Sequence, residues 1–135
     1  MKSLILIVFA LLSNVSYCQE KKCSDYKVGV FEYTNSNYSD WQIKRTDNEQ
    51  IEKNIKTGLV IHNSITWLSD CEFILTCTKV SKPSLEYAIG KIFRIRITET
   101  SNIGYTCIMM RNEIQKKDMV FEIKPLTTKT FSQKL

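Results

Sequence analysis

The chain holds one histidine, five cysteines and four glycines, and these bound the chemistry open to it. His62 falls on the polar side of an alternating segment. As a general base it would need a nucleophile beside it and a carboxylate to orient it, and the sequence designates neither. Asp70 and Glu72 are close in sequence, but Asp70 is explained by a turn, where its side chain satisfies local backbone. A pair of carboxylates facing each other across a barrel, as glycoside hydrolysis requires, is the one catalytic arrangement left open. Gly29, Gly58, Gly90 and Gly104 are too dispersed to cradle a phosphate, which argues against a nucleotide site. No two cysteines show C-x-x-C spacing, and with a single histidine a zinc site is not expected. Arg94 and Arg96 alternate behind Lys91, a stripe that could hold a polyanion or simply form a solvated outer face that discourages edge pairing. No catalytic residue, metal or cofactor is therefore assigned, and nothing points to nucleic acid.

The remaining cysteines depend on where the chain resides. Lys2 precedes an unbroken apolar run, Leu4 to Leu12. Nine helical residues fall far short of a bilayer core of roughly 30 Å, so the run reads as the apolar region of a signal peptide and not as a transmembrane span. Ser16 and Cys18 supply small side chains at −3 and −1 for cleavage before Gln19. The domain organisation expected is a signal peptide over 1–18 and one domain over 19–135, with a basic tail over 125–135. A second reading makes Cys18 the lipid-carrying first residue of an anchored lipoprotein, although Tyr17 is bulky for that processing. A third leaves the segment as an uncleaved anchor. Removing 18 residues leaves 117, enough for one domain, and lowers the formal charge from +5 to +4.

Cys23, Cys71, Cys77 and Cys107 then remain, an even number that favours disulfides in an exported domain. Their positions follow from the strand pattern. Apolar residues alternate over 27–34, 41–46, 50–55, 57–68, 71–79, 92–99, 105–111 and 119–124, and period two is the signature of half-buried strands. Pro83–Ile89 is the single helical candidate, with Pro83 in a first turn and Gly90 just past the end. About eight short strands joined by tight turns predict an all-β antiparallel meander. It would close as a lipocalin-like barrel or a curved sheet, with a two-sheet sandwich as the alternative.

In such a meander the strands of Cys77 and Cys107 lie two apart, roughly 9.5 Å, which exceeds the reach of a disulfide. Cys23, in the lead-in to the first strand, can reach Cys71 at a hairpin mouth. The expectation is Cys23–Cys71 bonded, with Cys77 and Cys107 as buried thiols. For that hairpin a three-residue turn, 68–70, sets Trp67 opposite Cys71, Ile65 opposite Phe73 and Ile61 opposite Cys77. The next pair sets Ile97 against Cys107 and Ile95 against Met109. Phe31, Tyr33, Trp41, Trp67 and Phe73 share the inward faces, where they could line a cavity or fill a solid core. Asn37-Tyr38-Ser39 has the form of a glycosylation sequon.

Several strings carry a family resemblance: Cys23, then Lys27-Val-Gly-Val-Phe-Glu-Tyr33, Trp41-Gln-Ile-Lys-Arg45, Gln50-Ile-Glu52, Ile65-Thr-Trp67, and Ser69-Asp-Cys-Glu-Phe-Ile-Leu-Thr76. Together they resemble a family of short exported proteins of unknown function from Gram-negative bacteria of the Bacteroidetes group. The resemblance implies a periplasmic or outer-surface location and no particular substrate. The family's usual residue at position 77 is tyrosine, so Cys77 departs from it. Some members carry an automatic label of DNA topoisomerase IV. That enzyme is a long cytoplasmic chain with a catalytic tyrosine, and this short chain gives the label no physical footing. The leading expectation is a non-enzymatic secreted or periplasmic barrel that binds a small apolar ligand or an envelope protein. The alternatives are a solid-cored structural protein of the envelope and a small hydrolase of glycans or peptides.

Overall fold

A computed structural model describes residues 20–110 and 119–126. The leader expected at 1–18 and the tail from residue 127 onward, with Lys129 and Lys134, lie outside the described residues. Eight strands follow in order: β1 (Gly29–Tyr33), β2 (Trp41–Arg45), β3 (Glu49–Asn54), β4 (Val60–Ser69), β5 (Glu72–Val80), β6 (Ile92–Thr100), β7 (Tyr105–Met110) and β8 (Met119–Pro125). Each pairs antiparallel with the next, and β1 also pairs with β8, so the meander closes into a barrel. Closure matters because it leaves neither β1 nor β8 with a free row of backbone donors and acceptors. The β1–β8 ladder, Phe31 opposite Pro125 to Tyr33 opposite Ile123, also excludes the two-sheet sandwich. The expected helix near 83–89 is a 3-10 segment, Pro83–Ala88.

Alternation carries one side chain in two to the interior. Phe31, Ile43, Phe73, Leu75, Ile95, Ile97, Cys107 and Ile123 are all buried there. An eight-stranded barrel is just wide enough to be filled by side chains or to hold one small ligand, so the size of the inward residues decides which.

One end of the barrel is shut. A 3-10 turn, Cys23–Tyr26, folds across it and inserts Tyr26, which is 1% exposed. The Tyr26 hydroxyl donates to the Ser101 carbonyl in the β6–β7 turn at 2.5 Å. Cys23 is bonded to Cys71 in the β4–β5 turn, with Cα atoms 5.1 Å apart. Trp67 Nε1 donates to the Asp47 carbonyl of the β2–β3 connection at 3.2 Å. Lys27 Nζ lies 5.0 Å from the Trp67 ring and 2.7 Å from an Asp70 carboxylate oxygen. The start of the domain is thereby latched to the turns of one end. Cys77 and Cys107 are free, buried thiols.

The β4–β5 register corrects the sequence expectation. Trp67 faces Phe73, Ile65 faces Leu75 and Asn63 faces Cys77, while Ile61 faces Val80. Ser69 pairs with Glu72, so the turn is Asp70-Cys71, two residues and not three. With regular strands that turn would put inward Trp67 opposite outward Ile74. An irregularity at Leu68 absorbs one residue and returns the inward positions to register. The β6–β7 pairing, Ile97 with Cys107 and Ile95 with Met109, is as expected.

Candidate ligand cavity

The inward residues do not fill the barrel. A cavity of about 290 Å³ runs from the floor toward the end formed by the β1–β2, β3–β4 and β5–β6 connections. Its wall is mainly apolar, with Ile43, Ile61, Leu75, Ile95, Met109 and Ile123 contributing. The mouth carries an aromatic collar in which Tyr33, Tyr38 and Phe121 are in mutual tilted and edge-to-face contact, with ring centroids 5.4–5.6 Å apart. Tyr33 and Phe121 come from the barrel wall, whereas Tyr38 is delivered by the 3-10 turn Ser36–Tyr38 that leads into β2. Trp41, the first residue of β2, completes the rim.

The floor is polar. β2 alternates Trp41, Ile43 and Arg45 inward, so the guanidinium of Arg45 is carried to the barrel axis and is 2% exposed. Arg45 Nε donates to Gln50 Oε1 at 2.7 Å, one terminal amine donates to the Tyr26 carbonyl at 3.0 Å, and the other to the Tyr105 hydroxyl at 2.8 Å. Its carbon lies 4.8 Å from the ring of Phe73, 5.1 Å from Phe31 and 5.8 Å from Tyr105. Three oxygens and the negative faces of three rings compensate the charge in place of water. The planar fork of arginine suits this enclosure, which a lysine could not fill.

One rung toward the mouth, Glu52 of β3 also points inward. The Gln50 side-chain amide donates to its Oε1 at 2.8 Å, so Gln50 bridges the arginine and the carboxylate. Its other oxygen receives no hydrogen bond from any described residue, and the partly buried side chain lines the cavity. Burial pushes the Glu52 carboxyl up from its ordinary value, outweighing the Gln50 hydrogen bond and the Arg45 charge, which pull it down. Burial likewise raises the Tyr33 phenol well above its usual value, with the Glu52 charge adding to the effect. The Cys107 thiol, against the same cavity, is pushed up to about 12 by burial, which keeps it protonated at neutral pH.

Of the five aromatic residues expected on the inner faces, the structure brings Tyr33, Trp41 and Phe73 to the cavity. Phe31 and Trp67 lie elsewhere in the barrel. Phe31 is 2% exposed beneath the Arg45 guanidinium, part of the floor itself. Trp67 sits beyond the floor at the shut end, 4.6 Å from Phe73, because the long β4 runs past the plugging Tyr26. The polar floor was not anticipated. Its signal was available, since the alternation that places Ile43 inward places Arg45 there too, and Gln50 and Glu52 share a phase on β3.

The three candidates for hydrolysis are engaged separately. His62 Nδ1 is 3.0 Å from a Glu49 carboxylate oxygen on the outer wall, Asp70 pairs with Lys27, and Glu72 pairs with Arg94 and Arg96. The arginine stripe is thus partly neutralised by Glu72, whose carboxyl is held below its usual range chiefly by the Arg94 hydrogen bond. Among the described residues no cluster of histidine, cysteine and carboxylate side chains could hold a metal ion. No helix of the described residues is long and apolar enough to cross a membrane.

An eight-stranded antiparallel barrel with a shut floor, an aromatic collar and a polar base defines the class of architecture. No family model, no curated protein and no solved structure matches the chain.

Proposed function

We propose that the protein is a non-enzymatic, exported binding protein, lipocalin-like in design, whose barrel takes up one small apolar or amphiphilic ligand. The observation that carries this reading is the cavity itself: about 290 Å³, apolar on its walls and polar at one place. That combination is the common form of small-molecule sites, and the volume lies at the lower end of their range. The disulfide is consistent with an oxidising extracellular or periplasmic compartment, and we place the mature domain there. The same cavity argues against the solid-cored envelope protein.

Native mass spectrometry of gently purified protein tests the reading. A bound small molecule that is released on unfolding is the expected result. Tryptophan emission provides a second measure, because Trp41 lines the cavity and Trp67 does not. Titration with an apolar ligand should change the emission, and Trp41→Phe should remove most of that change. Protein without a co-purifying molecule, together with emission insensitive to apolar ligands, would count against ligand binding.

A further inference from the structure

The floor contains two opposite charges, and they are not equally compensated. Arg45 gives hydrogen bonds to three oxygens, is stacked by three rings and reaches down toward the Tyr26 carbonyl in the plug. Glu52 receives one amide donor, and its second oxygen faces the cavity without a donor from the described residues. A carboxylate in an apolar enclosure is costly unless paired, so the vacancy on Glu52 is where a ligand gains most by binding.

From this geometry we infer that the ligand carries a protonated amine, which donates to the free oxygen of Glu52 while its apolar tail runs up the wall to the aromatic collar. This rests on the reading of the cavity as a ligand site and names the head group it selects. A carboxylate head is disfavoured twice. Glu52 repels it, and the guanidinium, 2% exposed and already bonded to Gln50, Tyr26 and Tyr105, presents little of its donor surface to the cavity. Repulsion between the amine and Arg45 is softened because the guanidinium lies one rung deeper, with Gln50 between it and Glu52. The collar then has a second use, since the rings of Tyr33, Tyr38 and Phe121 flank the path of the cation.

Decylamine, decanol and decanoate share a tail and differ in their heads, so calorimetric titration of the full mature protein with each one tests the inference. Decylamine should bind about tenfold or more tighter than decanol, the worth of one charge-assisted hydrogen bond, with decanoate weakest. Glu52→Gln keeps the shape and an acceptor for Gln50, and it should erase the preference for the amine over decanol. Glu52→Leu, with its fold checked by circular dichroism, should do the same. Equal affinity for all three heads, a preference for decanoate, or an amine preference that survives Glu52→Gln would each overturn the inference while leaving the cavity reading intact. Failure of all three to bind would overturn both.

Discussion

Arg45 shows how a single side chain can be both buried charge and scaffold. Its three donors tie β2 to β3 through Gln50, to β7 through Tyr105 and to the N-terminal plug through the Tyr26 carbonyl. Arg45→Met keeps much of the stem but leaves those three oxygens without a donor inside the barrel. The cost expected is about 3 kcal/mol, read from urea unfolding. Glu52 works in the opposite sense. Its folded carboxyl value lies above the unfolded one, so the native state binds a proton more readily and stability falls as pH rises through the interval between the two. Glu52→Gln should therefore be more stable than wild type at neutral pH, and the gain should shrink on acidification and vanish by about pH 3, below the unfolded value, where the wild-type carboxyl is protonated in both states. At this scale the sequence was only partly legible. Alternation alone locates Arg45, Gln50 and Glu52 inside, but polar residues at inward phase look like an imperfect strand until the partners that satisfy them are seen.

The strands themselves were readable because period two needs no tertiary information, and all eight fall within a few residues of where alternation predicts them. The β4–β5 turn was not readable. A register derived from regular strands has no means of anticipating the irregularity at Leu68, which changes the turn length and preserves the faces. The Cys23–Cys71 bond survived that error because Cys71 stays at the hairpin mouth in either register, as the first paired residue in the one and as a turn residue in the other. It closes a separation of 48 residues, worth about 4 kcal/mol on a chain-entropy account whose mechanism is model-dependent. The double variant Cys23→Ala and Cys71→Ala should lose about that much in denaturant unfolding. Reductant should reproduce the loss in wild type and add nothing to the variant, since Cys77 and Cys107 are unbonded. Gly104, at the entry to β7, answers a different demand. The β8 backbone passes so close that a Cβ there would overlap the Ile123 carbonyl, so Gly104→Ala should destabilise by about 1–3 kcal/mol through forced displacement of β8.

For the molecule as a whole, closure of β1 on β8 is the decisive event, and composition cannot announce it. Open curved sheet and closed barrel share one alternation pattern, and what separates them is whether the first and last strands meet. Amide exchange measures that directly. In a closed barrel the inter-strand amides of β1 and β8 should be protected comparably to those of β2 and β7, with no fast-exchanging edge. The cavity was less legible still, because it depends on the volume left between inward side chains and not on their identity. Phe31 and Trp67 share the inward phase with Tyr33 and Phe73, yet only depth along the barrel axis distinguishes wall from floor.

The latch at the shut end also fixes which way the molecule faces. The chain enters the domain beside Cys23 and Tyr26, on the side opposite the aromatic collar. Anything joined upstream, whether a lipid, a resin or another protein, would hold the barrel like a cup by its base, brim outward. A protein tethered at its amino end should thus capture solutes as freely as one in solution, whereas a bulky fusion built into the short turn between the first two strands would sit across the brim.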